Sequence, residues 1–260
     1  MPVIKIDATR CCGDALCVRV CPAACLRMRG DKAAPVPLSG NRCLGCGQCV
    51  AVCPKAAVSL DGRNPDELVQ TRNAVTPEDF SMLARTRRSI RVFRHAPVPH
   101  EALLAALDSA RYAPTGKNRQ DVEWIAVEGE DKLKAFVTLV IDAMRAIPGT
   151  ERLVAAFEQG QDPILREAPC VVFAHASAGY DLSAADCALA VSYFELALHS
   201  MGLGTCWAGY ALGVARRSPE VRAFLGVPDG REAYGGVMVG YPALRYHRIP
   251  DRKPARLAWV

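Results

Sequence analysis

From residue 100 onward, apolar positions recur with two different periods. HEALLAALDSARYA (100–113) spaces them as one face of a helix, and DKLKAFVTLVIDAMRAI (131–147) does the same. VEWIAV (122–127) predicts a short strand, CVVFAHA (170–176) a buried strand and YGGVMVGY (234–241) a third. DCALAVSYFELALHSMG (186–202) predicts a long helix ended by Gly202. Nearer the middle of the chain, Thr76-Pro77-Glu78-Asp79 is a helix start: a capping threonine, proline in the first turn and acids at the positive end. Helices and strands mixed in this way predict an α+β body with helices packed over a sheet. The run from Asp186 to Met201 is apolar nearly all round, interrupted by Ser192, Glu195 and His199. It is too short to cross a bilayer, so it is either wholly buried or buries one side against a second subunit. His199 reads as a packing histidine.

The start of the chain is patterned differently. MPVIKI (1–6) and AVSL (57–60) are short strand candidates, and RMRGDKAAPVPLSGNR (27–42) between them reads as a turn-rich connection. DGRNPDELVQTRNAVTPEDF (61–80) is polar, holds two prolines and lacks cysteine, which places a boundary there. The expected organisation is a head over 1–62, a linker over 63–80 and a larger domain over 81–260.

Composition narrows the possibilities. With half of 260 residues apolar and 23% charged, the chain has the mass for a core, which excludes disorder over most of its length. No apolar stretch reaches the ~20 residues of a membrane span. The first residues lack the apolar region of a secretory signal, so the expected location is the cytoplasm. Residues 1–62 hold eight Lys/Arg against four Asp/Glu, and the remainder 24 against 23. A net charge of +5, so little clustered, does not point to nucleic acid.

Nine of the twelve cysteines precede residue 54. In a reducing compartment such density points to metal rather than disulfides. Cys11-x-x-Asp14-x-x-Cys17-x-x-x-Cys21-Pro22 is repeated as Cys43-x-x-Cys46-x-x-Cys49-x-x-x-Cys53-Pro54, every pair offset by 32 residues. This is an internal duplication. Ligands two residues apart wrap a loop around one corner of an iron–sulfur cubane, and the fourth cysteine of each run serves the other cluster. The segment closely resembles bacterial two-cluster ferredoxins. That assigns Cys43, Cys46, Cys49 and Cys21 to one 4Fe–4S cluster, and Cys11, Asp14, Cys17 and Cys53 to the other. Zinc is the weaker reading, because zinc sites favour two separated Cys-x-x-Cys pairs. Asp14 departs from the pattern: its oxygen holds iron less firmly than thiolate. The first site is then a 4Fe–4S cluster with an oxygen ligand or a 3Fe–4S cluster beside a solvated carboxylate. Cys12 can substitute as ligand if the loop shifts, and Cys25 reads as a small buried side chain.

Four separated segments carry the remaining chemistry: Arg87-Arg88-Ser89-Ile90-Arg91, Ala113–Gln120 (APTGKNRQ), Gly202–Gly209 (GLGTCWAG), and Gly240-Tyr241-Pro242 with Tyr246-His247-Arg248-Ile249-Pro250. Singly, each has a plain reading as a basic run, a helix stop or a packing turn. GLGTCWAG follows a helix, whereas the dinucleotide fingerprint follows a strand, and no phosphate loop ending Gly-Lys-Ser/Thr occurs. Together and in this order the segments resemble the nitroreductase family of FMN enzymes across 81–260, and the ending resembles members fused to a ferredoxin head. The resemblance implies an α+β fold, an intertwined homodimer and FMN sites between subunits. It implies that Arg87, Ser89 and Arg248 take the phosphate, with Arg88 and Arg91 at the phosphate, ribityl chain or ring edge. Guanidinium forks suit that anion. Asn118 meets the polar edge of the flavin, with Thr115 as a further cofactor-binding residue on the same loop, and Ala208 and Gly209 approach its N5 side. No acidic residue precedes Gly209, so carboxylate tuning of N5 is not expected.

The implied function is electron transfer from the clusters to FMN, which reduces a nitro compound, quinone or similar acceptor. A low-potential donor such as a ferredoxin or reductase is the implied partner, and no side chain is expected to act as essential acid or base. Two alternatives fit the same residues. One is flavin-dependent reductive dehalogenation, with 142–165 as a substrate lid; the other is an electron-carrier or redox-sensing module.

Overall fold

The head is built from six short elements: β1 (Ile4–Ile6), α1 (Leu16–Val20), β2 (Leu26–Arg29), β3 (Lys32–Pro35), α2 (Gln48–Val52) and β4 (Val58–Leu60). In this computed structural model residues 1–72 and 74–260 are described; Asn73, within the expected linker, lies outside them. The expected strands at both ends of the head form, and pair antiparallel with Lys5 opposite Ser59. Segment 27–42 corrects the expectation of a turn-rich connection, because β2 and β3 make a hairpin across it. Leu26 and Met28 face inward while Arg27 and Arg29 are exposed, and Gly30 turns the chain with φ +63°.

The sequence duplication is visible in the backbone. α1 follows a left-handed Ala15 (φ 57°) and ends at an extended Cys21. α2 follows a left-handed Gly47 (φ 70°) and ends at an extended Cys53. Gly13 (φ +77°) comes within contact of the hairpin turn, where an added Cβ would lie 2.3 Å from the Asp31 carbonyl oxygen. Only glycine permits that approach. The core is small: Ile4, Cys25, Leu26 and Val58 are buried together with Cys17 and Cys49. Cys25 is fully buried, with Sγ near the carbonyl oxygens of Ala23 and Ser39 at 3.7 and 3.6 Å. So few apolar groups make cluster binding part of the stability of such a unit.

The chain divides into two units, Met1–Ala74 with Lys117–Arg119, and Val75–Gly116 with Gln120–Val260. Residues just past 62 belong with the head because Arg10 forks onto Asp66 at 2.6 and 2.7 Å and donates to the Lys55 carbonyl at 3.0 Å.

The second unit contains α3 (Pro77–Thr86), α4 (His100–Ala110), β5 (Glu123–Glu128), α5 (Glu130–Met144), α6 (Glu151–Glu158), β6 (Cys170–Ser177), α7 (Ser183–Ser200), β7 (Gly204–Trp207), α8 (Gly209–Ala215), α9 (Pro219–Leu225) and β8 (Arg231–Gly240). α3 starts as expected, with a capping box between Thr76 and Asp79. The sheet order is β5-β6-β8-β7, antiparallel throughout. Val171 and Phe173 of β6 join Phe136, Val140 and Ile141 of α5 on one face. Val172 and Ala174 join Phe194 and Leu198 of α7 and the α4 residues Leu103 and Ala106 on the other. Covered on both faces, β6 is buried from Cys170 to Ala176 and apolar there except at His175, which is why it reads as an almost unbroken run.

One reading of this half is corrected: GLGTCWAG is not only a turn, since β7 forms within it, on the edge of β8. The stretch 142–165 contains the end of α5 and all of α6. α7 is not wholly buried within the chain: Cys187, Val191, Phe194 and Leu198 are buried, while Leu189 and Tyr193 on the opposite side are each 43% exposed.

Candidate functional sites in the two units

In the head, Cys21 of the first run and Cys43, Cys46 and Cys49 of the second line one small hollow, together with Ile4, Pro22 and Leu44. The Cys49 thiol is pushed up to about 11 by burial, with Cys21, Cys43 and Cys46 adding to the effect. The complementary group gathers around Cys17, whose thiol is raised by burial and then by Cys53, Cys11 and Asp14. Backbone N–H groups point at the sulfurs in matching places: Cys25 N–H donates to Cys21 Sγ at 3.2 Å and Ala57 N–H to Cys53 Sγ at 3.3 Å. Gly45 N–H donates to Cys43 Sγ at 3.4 Å. Such donors stabilise negative charge on thiolate ligands. The donor set thus fits iron–sulfur clusters, because it pairs four cysteines from two runs around an apolar hollow. Asp14 is exposed; its Oδ1 accepts from the Leu16 N–H at 3.1 Å and its Oδ2 lies 3.4 Å from Cys12 Sγ.

In the second unit the arginine-rich segment leaves the end of α3. Ser89 bridges to Thr205 of β7, and the Ile90 N–H donates to the Thr205 carbonyl at 2.8 Å. Arg87 Nη1 lies 3.6 Å from Glu195 Oε1, and Arg88 Nη1 donates to the Arg87 carbonyl at 2.6 Å. Arg88 Nε is buried and finds no hydrogen-bond partner among the described residues. A buried donor left in that state needs an acceptor, and a phosphate oxygen is one, so the segment fits the phosphate end of FMN. Arg91 is exposed and donates to the Ser89 carbonyl at 3.3 Å.

The other expected flavin residues are more dispersed. Thr115 Oγ1 accepts from the Gln120 N–H at 3.0 Å, and Gly116 N–H donates to the buried Asp186 at 2.9 Å. Asn118 belongs to the first unit, where its Nδ2 donates to the Leu44 carbonyl at 3.1 Å. Ala208 is buried, its N–H held by the Gly236 carbonyl at 2.8 Å. Gly209 opens α8, where an added Cβ would make only ordinary contact with Trp207 at 3.5 Å. Arg248 lies in the exposed irregular segment after β8, so the chain by itself does not bring it to Arg87 and Ser89.

Sequence reasoning missed two carboxylates here. Glu195 stood out only as an interruption of α7, yet its side chain is 15% exposed and accepts from Thr205 Oγ1 at 2.6 Å. Asp121 anchors a network with Arg231 and His175 from strands far along the chain. The signal for Glu195 was its place four residues before His199 on an otherwise apolar helix. His199 is a hydrogen-bonded packing residue, with Nε2 paired to Thr86 Oγ1 at 2.9 Å.

Comparison with known proteins gives these sites a context. A model described as the nitroreductase family matches residues 84–241, and one described as a 4Fe–4S binding domain matches 37–59. A provisionally named NADH dehydrogenase/NAD(P)H nitroreductase of Archaeoglobus fulgidus is 29% identical over 168 residues, covering 64% of this chain and 86% of its own. An iodotyrosine deiodinase of Thermotoga neapolitana is 34% identical over 133 residues, 47% of this chain and 69% of its own. The structure of a Bacteroides fragilis nitroreductase with bound FMN superposes with a TM-score of 0.59 at 27% identity, covering 68% of this chain and 97% of that one. No helix among the described residues is long and apolar enough to cross a membrane. The chain belongs to the nitroreductase family of FMN-dependent oxidoreductases and carries a ferredoxin-type 4Fe–4S domain ahead of it.

Proposed function

We propose that the chain is an iron–sulfur flavoprotein that passes electrons from ferredoxin-type clusters to FMN for reduction of a small acceptor, a nitro compound, quinone or similar. The observation that carries this reading is the presence in one chain of crossed cysteine sets and an arginine anchor with an unpaired buried donor. When bound, clusters carry single electrons, and FMN collects two and releases them as a hydride.

Each unit has its part in that scheme. Cys43, Cys46, Cys49 and Cys21 hold one 4Fe–4S cluster, while Cys11, Asp14, Cys17 and Cys53 surround a 4Fe–4S or 3Fe–4S cluster. Arg87, Ser89 and Arg248 hold the flavin phosphate, with Arg88 and Arg91 beside them. Asn118 serves the polar ring edge, with Thr115 on the same loop, and Ala208 and Gly209 serve the N5 side. Solvent supplies protons, so no side chain need act as acid or base. The assignment makes the head the cluster domain and the second unit the flavin domain, in a cytoplasmic protein fed by a low-potential donor.

A second copy of the chain completes the site in this account. Leu189 and Tyr193 on α7 and Leu244, Tyr246 and Trp259 in the tail are exposed apolar groups that a homodimer covers. Arg248, on the same tail, then reaches the phosphate as part of that assembly.

Reductive dehalogenation is the second reading, favoured by the likeness to the Thermotoga neapolitana deiodinase. The test is steady-state assay of the anaerobic, chemically reduced protein with a nitroaromatic, a quinone and an iodinated tyrosine. Many turnovers of the first two support the proposal; turnover of the iodinated compound alone favours dehalogenation. Reduction that stops after one stoichiometric equivalent contradicts both and leaves an electron carrier.

A further inference from the structure

We propose that Glu195 is a positioning residue for the flavin phosphate: it holds Arg87 and β7 so that the guanidinium and Ser89 face the anion together. The inference rests on the FMN reading of the Arg87–Arg91 segment and adds a residue to it.

Glu195 sits on α7, whose other polar side chains in this stretch are few, and its carboxylate is largely buried. Groups from β7 and from the arginine segment meet on it. Its Oε1 accepts from the Thr205 hydroxyl at 2.6 Å and lies 3.6 Å from Arg87 Nη1. Thr205 is 2% exposed and carries the backbone against which Ser89 and Ile90 pair. One turn further along α7, His199 holds Thr86, the residue before Arg87, at 2.9 Å. α7 therefore fixes both the side chain of Arg87 and the path of the backbone that follows it. An arginine has five donors in a planar fork, so one ion pair to Glu195 orients the group and leaves the remaining N–H groups for a ligand. A buried carboxylate between a hydroxyl and a guanidinium is also satisfied before any ligand arrives, so the arginine is ready and not collapsed onto the protein surface.

The role differs from general packing in one respect: it concerns the phosphate and not the isoalloxazine ring. Riboflavin, which lacks the phosphate, separates the two. The experiment measures equilibrium binding of FMN and of riboflavin to flavin-depleted full-length wild type, Glu195→Gln and Thr205→Val, by flavin fluorescence, with circular dichroism to verify folding. Glu195→Gln keeps an acceptor for Thr205 but loses the charge facing Arg87. The expected result is FMN affinity reduced about tenfold, with riboflavin affinity changed less than about twofold. Thr205→Val, which keeps the carboxylate but frees it to rotate, should lower FMN affinity in the same selective way by a smaller factor. Equal losses for both flavins would assign Glu195 to packing, and tighter FMN binding would make it a repulsive neighbour of the phosphate; either result overturns the proposal. A wild type that does not prefer FMN to riboflavin overturns the phosphate reading itself, and the Glu195 role falls with it. A wild type that prefers FMN while Glu195→Gln and Thr205→Val keep the same preference overturns the Glu195 role alone.

Discussion

Asp14 stands where the second copy of the repeat has Cys46, and in the proposed function that one difference sets the character of the first cluster. Its two oxygens are engaged by Leu16 N–H and Cys12 Sγ at 3.1 and 3.4 Å, in an exposed loop. Thiolate binds iron more firmly than carboxylate. Asp14→Cys is therefore expected to slow chelator-driven loss of iron from the first site and to remove any three-iron EPR signal. Identical iron loss and spectra in the two proteins would place Asp14 away from the labile iron. Asp121 shows a different use of a carboxylate. Burial alone would raise its pKa, but hydrogen bonds from Ser177 and Arg231 outweigh that and hold it at about 2. A carboxyl depressed from 3.8 adds stability that is complete above its unfolded pKa and disappears as pH falls through about 2. The loss is about 2 kcal/mol. Urea unfolding followed by circular dichroism should show this decline between about pH 5 and pH 2 in wild type and a flatter profile in Asp121→Asn. Parallel profiles would assign the acid sensitivity to other groups.

Elements with a sustained period were legible from sequence: α4, α5, α7, β5, β6 and β8 all formed where hydrophobic spacing placed them. The elements that escaped were short or held by distant partners. β7 is four residues beginning with glycine, and it becomes a strand only because β8 pairs with it and Ser89 bridges to it. The β2–β3 hairpin alternates correctly, but each strand is four residues long in a stretch dominated by Gly, Pro and charge. α6 lies within 142–165, which reads from sequence only as a candidate substrate lid with no element of its own. The cysteine runs were the opposite case, since ligand spacing is local and survives without tertiary context. Gly204 shows how tightly β7 and the arginine segment are joined. A Cβ there would lie 2.5 Å from Ile90 Cγ1, 2.9 Å from Ile90 Cβ and 3.0 Å from Pro242 Cγ. Gly204→Ala should cost about 1–3 kcal/mol in urea unfolding, as overpacking does, and should weaken FMN retention as well. Full stability with normal FMN binding would show that β7 can shift without disturbing the anchor.

At the scale of the whole molecule, the two units have different sources of order. The head has a handful of buried aliphatic groups and relies on its cysteine sets, whereas the flavin-family unit packs a sheet between helices on both faces. What sequence left out at this scale is what joins distant segments: Glu195 with Arg87, and Asp121 with Arg231. Neither pairing has a local signature. Whether the head supplies electrons to the flavin is decided by anaerobic stopped-flow reduction of the full chain. Iron, sulfide and FMN are first quantified per chain, and flavin bleaching by a reduced one-electron donor is then followed in wild type and in Cys46→Ser with matched FMN content. Cluster reduction should precede flavin bleaching in wild type, and bleaching should be markedly slowed in Cys46→Ser. Flavin bleaching at the same rate in both proteins would contradict electron supply from the head.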